Sequence, residues 1–296
     1  MSRHIMNNIN ILTVILGRLT QANITASSGK NGLSCAKLSL KSPLISIITI
    51  TLNADQYLEQ AIQSVLNQTY KHIEYIIVDG GSTDRSLGII SKYKKQLDHF
   101  ISEKDKGIAD AMNKGVALTT GEYVIFLHAD DYFVNDNALS EVIEKMDKTA
   151  DIVACSIQYG EQLRTCKPRG FNFWFNFKQG IYHQGIICRR DLIKKLNGFD
   201  MQFRITMDYD FFVRAYHRRA KLVKVPDILA VMRESGISSR RDWQSLKNRF
   251  DEERRVHEKN CGSSSMKMLY NLYWFLYLPY RRVYYVLKKS RVEAHR

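Results

Sequence analysis

Residues Gly121 to Phe133 read GEYVIFLHADDYF, in which five apolar residues, Tyr123 to Leu127, run into two adjacent carboxylates, Asp130 and Asp131. A short continuous apolar run between turn signals reads as a strand buried on both faces, as in a parallel sheet covered by helices. In open α/β sheets the ligand crevice lies outside the carboxyl ends of the strands, so paired acids there are placed to meet a ligand or a metal. Taken alone, the pair reads equally well as loop acids or a helix cap.

Upstream, Leu44 to Thr51 (LISIITIT) predicts a buried strand, followed by a helix carrying Leu58, Ile62, Val65 and Leu66 on one face. Ile73 to Val78 predicts a second strand ending in Asp79, and GGSTDRS offers Ser82 or Thr83 as the cap of a helix with Leu87, Ile90 and Leu97. This β-α-β-α alternation implies a parallel, doubly wound sheet. After a short strand at His99 to Ser102, a helix over residues 108 to 117 places Ile108, Ala111, Met112, Gly115 and Val116 on a buried stripe. Asp110, Asn113 and Lys114 share another face, a candidate polar wall beside the Asp-Asp strand or a solvated ion-paired surface.

Downstream, a helix over Ala138 to Met146 and a strand over Asp151 to Ile157 precede an aromatic stretch, Arg164 to Gly180, without a clean period. Strand character resumes over Ile181 to Cys188, with His183 and Gln184 inside it. Thr206 is the expected cap of a helix to Arg218 that carries Asp208 and Asp210 in its first turn. Two short apolar runs, Leu222 to Val225 and Ile228 to Met232, lead to SGISSR, a loop that reads as a phosphate contact or a plain turn. A charged helix over Asp242 to Glu258 follows.

The formal charge is +14, and residues 201 to 296 hold 21 Lys and Arg against 10 Asp and Glu, so +11 of the excess sits in the last third. The tail from Met266 to Lys289 mixes Tyr, Trp and Phe with Arg and Lys around Pro279, the composition of a helix lying in a lipid headgroup layer. Packing onto the domain is the alternative. The five cysteines, Cys35, Cys155, Cys166, Cys188 and Cys261, form no Cys-x-x-Cys, which suggests neither a disulfide framework nor a zinc site and makes a reducing cytosol the default. The domain reading is a weakly ordered extension over 1–42, an α/β domain over 43–258 and a basic aromatic tail over 259–296.

The segments TLNADQYLEQAIQSVLNQTY, IIVDGGSTD, KDKGIADAMNKG, FLHADDYF, HQG and GFD-x7-DYDFFVR together resemble the successive motifs of the family 2 glycosyltransferases with the GT-A fold, in the bacterial polysaccharide branch. The resemblance spans residues 44 to 240. It implies a Rossmann-like, mostly parallel α/β sheet and transfer of a sugar, with inversion, from a nucleoside diphosphate sugar, a UDP-sugar being expected, to a hydroxyl of a glycan or lipid-linked acceptor. It assigns donor binding to Thr51, Asn53, Asp79, Asp110, Asn113, Lys114 and Asp130, the metal (Mn²⁺ or Mg²⁺) to Asp131, and the general base to Asp208. His183, Gln184 and Ser238 become candidates for acceptor or diphosphate contact. His128 and Ala129 depart from the family's acidic motif and leave the coordination number open.

The chemistry agrees with these residue types. A leaving diphosphate develops negative charge that a hard cation held by carboxylates neutralises, and a carboxylate base need only accept the acceptor hydroxyl's proton. The expected setting is cytoplasmic, with the tail on the inner membrane leaflet. Two other classes fit parts of the chain: a basic nucleic-acid-binding protein, supported by charge alone, and a catalytically silent nucleotide-sugar-binding scaffold, opposed by the full acid set. A dinucleotide oxidoreductase is excluded because LNADQYL stands where its Gly-x-Gly-x-x-Gly turn belongs.

Overall fold

The structure, a computed structural model, describes residues 42–236 and 239–293. The extension read over 1–42 lies outside the described residues except for Ser42, and so does Ser238.

The chain alternates β1 (Ile45–Thr51), α1 (Leu58–Leu66), β2 (Ile73–Asp79), α2 (Ser86–Tyr93), β3 (His99–Ser102), α3 (Ile108–Leu118) and β4 (Tyr123–Phe126). It continues through β5 (Tyr132–Phe133), α4 (Ala138–Lys145), β6 (Ile152–Tyr159), β7 (Arg164–Cys166), β8 (Ile186–Arg189), α5 (Arg190–Lys195), α6 (Met207–His217) and β9 (Leu222–Met232). Two further helices, α7 (Trp243–Lys259) and α8 (Ser264–Glu293), close the described chain. Among the described residues one sheet runs in the order β3-β2-β1-β4-β8-β6-β9-β5, with β7 on β6. Pairing is parallel from β3 to β4 and between β6 and β9, and antiparallel where β8 and β5 enter.

Side-chain alternation explains the uninterrupted apolar runs, because both faces of the sheet are covered. Ile48, Ile50, Val124 and Phe126 join α3 and α6 on one face, while Ile45, Ile47, Tyr123, Ile125 and Leu127 join α1 and α4 on the other. The entry to β4 is held by buried Glu74, which accepts from Ser46 Oγ, Thr120 N and Thr120 Oγ1. Burial alone would raise its pKa, but these donors outweigh burial and hold it below the usual range.

Several local expectations are corrected. The segment Ile181 to Cys188 is not one strand: a 3-10 turn at His183–Gly185 precedes β8. Gly185 lies against β6 so closely that a Cβ would come within 2.6 Å of the Cys155 carbonyl, and the turn lets the chain make that approach. The two runs after residue 222 form the single strand β9, bulged opposite Ser156, whose hydroxyl donates to the Pro226 carbonyl. Helix α2 begins at Ser86 rather than after Ser82 or Thr83, because the Ser82 hydroxyl is taken by Asp79 and Asp84 accepts from Ser86 N instead. At α6, Thr206 stands at the cap position without using its side chain as one. Glu252 of α7 accepts from the Arg204, Ile205 and Thr206 amides, satisfying that helix end from outside.

Pro279 does not stop α8, which runs through it. Its inner face docks on α7 through a relay. Trp274 Nε1 donates to His257 Nδ1 at 2.9 Å, His257 Nε2 meets Tyr209 Oη at 3.0 Å, and Tyr209 donates to the Phe175 carbonyl. Indole is a donor only, so His257 Nδ1 must be unprotonated and the proton sits on Nε2. Tyr270 stacks on the same imidazole, and Phe177 of the aromatic stretch packs on Tyr270 and Tyr273. Among the described residues no helix is long and apolar enough to cross a membrane.

Burial pushes the His257 pKa down to about 3, against 6.5 for an exposed imidazole. The unfolded chain therefore binds a proton that the folded chain refuses, and this contribution to stability is complete above about pH 6.5 and erodes as pH falls toward 3. The expected slope is on the order of 1 kcal/mol per pH unit in that window. Urea denaturation of wild type and His257→Gln between pH 7 and pH 4 checks it: the variant should show the shallower pH dependence, and parallel curves would reject the assignment.

Candidate active site

The carboxyl end of β4 stays in the sheet for three more residues, with the Leu127 amide on the Ile48 carbonyl and the Ala129 amide on the Ile50 carbonyl. The chain then turns, Asp131 N donating to His128 O, before β5 pairs with β9. This delivers His128, Asp130 and Asp131 to one end of a cavity of about 510 Å³. The turn ahead of β8 brings His183 and Gln184 to the same end, and the first turn of α6 brings Asp208.

Asp131 is 1% exposed. Its Oδ1 accepts from Arg233 N at 3.3 Å, while Oδ2 has no partner among the described residues. Burial, then the neighbouring Asp130 charge, pushes its pKa up to about 7. Burial drives His128 well down, and its ring lies 4.5 Å from that of His183. Burial also disfavours charge on His183, but the Asp208, Asp131 and Asp130 carboxylates outweigh it and raise its pKa. His183 Nδ1 lies 3.5 Å from Asp208 Oδ2, which also accepts from Gln179 Nε2 at 2.8 Å. One oxygen or nitrogen from each of His128, Asp131 and His183 falls within 4.8 Å of the others, a group able to hold a divalent cation.

Arg233, which composition and spacing did not single out, organises the turn. Its guanidinium donates to the Asp130 carbonyl and to Gln60, and lies 4.5 and 4.7 Å over the rings of Tyr57 and Tyr132. Ser235 Oγ donates to Asp130 Oδ2 at 2.7 Å. The cavity is also lined by Lys178, Arg249, Glu253 and, from α8, Tyr277 and Arg281. Burial pushes the Glu253 pKa up against these cations and pushes Lys178 down with Arg281 assisting. One acid of the run Asp251 to Glu253 in a charged helix gives no sequence signal for such a place; only the docking of α8 creates it.

The other expected site residues are placed differently. Thr51 and Asp79 sit side by side at the ends of β1 and β2. The Thr51 hydroxyl is buried without a partner, whereas Asp79, 0% exposed, accepts from Gly81 N, Ser82 N, Ser82 Oγ and Ser102 Oγ. Asn53 Oδ1 accepts from Thr83 N, joining the loops that follow these two strands. Asn113 pairs with both the amide and the carbonyl of Phe199, and Asp110 and Lys114 pair with each other at 3.4 Å. None of Thr51, Asn53, Asp79, Asp110, Asn113 or Lys114 lines the cavity. From α3 it is Ile108 and Met112 of the apolar stripe that reach it, because the face packed on the sheet is also the face nearest the strand ends. Asp210 points away from the cavity group into pairs with Arg214 and Lys259.

A mixed α/β sheet with paired acids at a central strand end, sharing one cavity with Asp208, is the arrangement expected of a GT-A glycosyltransferase. The family model described as Glycosyl transferase family 2 matches residues 46–221, and the chain belongs to that family. It is 31% identical over 199 residues to a PGL/p-HBAD biosynthesis glycosyltransferase of Mycobacterium bovis, covering 62% of this chain and 74% of that one. Over 97 residues it is 44% identical to an uncharacterized glycosyltransferase of Haemophilus influenzae, covering 32% of this chain and 39% of that one. Residues 1–349 of S. aureus TarS share the fold at a TM-score of 0.58 and 20% identity, over 73% of this chain and 64% of that one, just under two thirds of its length. The mannosyltransferase PcManGT of Pyrobaculum calidifontis, solved with GDP-Man and Mn²⁺, matches at a TM-score of 0.55 and 17% identity over 82% and 83% of the two chains.

Asp79→Asn turns a carboxylate oxygen into a donor facing donors, and one unmet buried group costs about 1–3 kcal/mol. A loss of that size in urea denaturation is expected; unchanged stability would show that the carboxylate does not hold the loop.

Proposed function

We propose that the protein is an inverting, metal-assisted glycosyltransferase that moves a sugar from a nucleoside diphosphate sugar, a UDP-sugar first, to a hydroxyl of a glycan or lipid-linked acceptor. The observation that carries this reading is the convergence of Asp131, His183 and Asp208 from three separate segments on one cavity. Family membership supports it, as do the nucleotide-sugar titles of structures that share the fold, including TarS 1–349 with UDP-GlcNAc.

The partnerless Thr51 hydroxyl and the loop joined by Asn53 support a nucleotide site at the ends of β1 and β2. Asp130 and Asp131 would hold a divalent cation, whose charge would neutralise that developing on the leaving diphosphate. Arg233 and Ser235 keep the Asp130–Asp131 turn in place. Asp208 accepts the proton of the acceptor hydroxyl, with Gln179 and the Tyr209 amide fixing the orientation of its carboxylate. The cationic wall of Lys178, Arg249 and Arg281 suits an acceptor that carries a phosphate. Helix α8 contributes to that wall while exposing Met268 (68%) and Phe275 (75%) with Leu272 and Leu276, which fits a lipid-linked acceptor presented at an anionic membrane surface.

A screen of nucleoside diphosphate sugars with Mn²⁺ or Mg²⁺, scoring nucleotide release with and without chelator, tests the reaction. At saturating Mn²⁺, Asp208→Asn should lower kcat about 10²- to 10⁴-fold with donor Kd within a few-fold of wild type. Donor affinity lost with the rate would reassign Asp208. The triple change Leu272→Ser, Phe275→Ser and Leu276→Ser alters only the outer face of α8 and should reduce flotation with phosphatidylserine vesicles; equal flotation would reject the membrane reading.

A further inference from the structure

We propose that the cation site is not built from carboxylates alone. His128 and His183 supply two imidazole nitrogens beside Asp131 Oδ2, making a site that prefers a first-row transition ion over Mg²⁺, and Asp208 positions His183 within it. This deepens the metal-assisted reading above and rests on it.

Three observations converge. His128 Nε2, His183 Nε2 and Asp131 Oδ2 are each buried, and none has a hydrogen-bond partner. A buried polar atom without a partner is costly, and the three residues that carry these atoms each bring one ligand atom within 4.8 Å of the others, so a common ligand would satisfy them. All three are electron-pair donors when the two imidazoles are neutral and the carboxylate is ionised. Trapped water could satisfy one or two such atoms, but the acid shared between two imidazoles calls for positive charge at the centre.

The second observation is the far side of His183. Its Nδ1 lies 3.5 Å from Asp208 Oδ2, a carboxylate already steadied by Gln179. An imidazole whose one nitrogen faces a carboxylate keeps its proton there and turns the other lone pair toward the cluster. Metal-bound histidines are held in this way, and loss of such an outer partner typically costs 10- to 100-fold in affinity.

The third is the type of donor. Mg²⁺ takes oxygen ligands and keeps its waters, whereas imidazole suits later ions, and a set of two imidazoles and one carboxylate leaves coordination positions open for phosphate oxygens. His128 stands where the family pattern has other residues, so this donor set belongs to this chain rather than to the motif.

The test uses the full-length protein and metal alone, without donor or acceptor. Mn²⁺ binding followed by electron paramagnetic resonance should show electron-spin-echo modulation from imidazole nitrogen, and Mn²⁺ should bind at least about ten-fold more tightly than Mg²⁺ in competition. His128→Asn and His128→Gln should each weaken Mn²⁺ binding and reduce the nitrogen modulation, with thermal unfolding confirming that both fold. Asp208→Asn should lower Mn²⁺ affinity 10- to 100-fold, an effect that a role as proton acceptor alone would not produce. Bound Mn²⁺ without nitrogen modulation, equal affinity for Mg²⁺, or unaltered binding in both His128 variants would overturn the proposal. Those results would leave the transfer reaction standing, since nucleotide release is measured separately.

Discussion

The structure depends on the position of β4 between β1 and β8. On one side β4 pairs in parallel with the first strand of the alternating β-α series, and on the other it pairs antiparallel with β8. The change of direction happens at the strand that ends in His128, Ala129, Asp130 and Asp131. A parallel neighbour sends its own carboxyl end to the same rim, as β1 does with Thr51. An antiparallel neighbour sends its beginning there, and the turn before β8 therefore presents His183 and Gln184 directly opposite the acids. Two residue sets far apart in sequence meet because one strand has a neighbour of each kind.

Charge burial follows from that placement. Asp131 and the two histidines share their cavity with the apolar Ile108 and Met112 of α3, and the buried polar atoms there feel their neighbours more strongly than they would in water. Asp208 enters the same group from α6, and the chain leading into that helix, Arg204 to Thr206, is held by Glu252 of α7. The base candidate is thus positioned by a contact made from another helix. Helix α7 is tied in turn to α8 through His257 and Trp274. The basic aromatic helix is in this way part of the cavity wall on one face while its other face stays exposed.

Much of the architecture was legible along the chain. Apolar runs of strand length, separated by amphipathic helices, identify a doubly wound sheet because β1, β2 and β4 are buried on both faces and have no reason to alternate. The paired acids, the Asp208 segment and the HQG motif were also visible, although HQG read as strand rather than as the turn it forms. At α3, Asn113, Asp110 and Lys114 share a face as expected, and there Asn113 holds the Phe199 peptide, Lys114 pairs with Glu103 and Asp110, and Asp110 accepts from the Lys106 amide. Spacing tells which residues share a face; it does not tell what that face meets. Asp79 is similar: a strand-end acid is recognisable, yet whether its lone pairs serve a ligand or its own loop depends on Ser82 and Ser102 arriving beside it.

By itself the order of residues determined the family, the layer architecture and the acidic strand end, because local periodicity and contiguous motifs carry that information. Only the tertiary structure decided that His128 and His183 share one cavity with Asp131, that Asp208 backs His183, that Glu253 and Arg281 line the same cavity, and that α8 packs through His257. Those are contacts between segments tens of residues apart. Their geometry is set by sheet order and helix docking, which no pattern along the chain encodes.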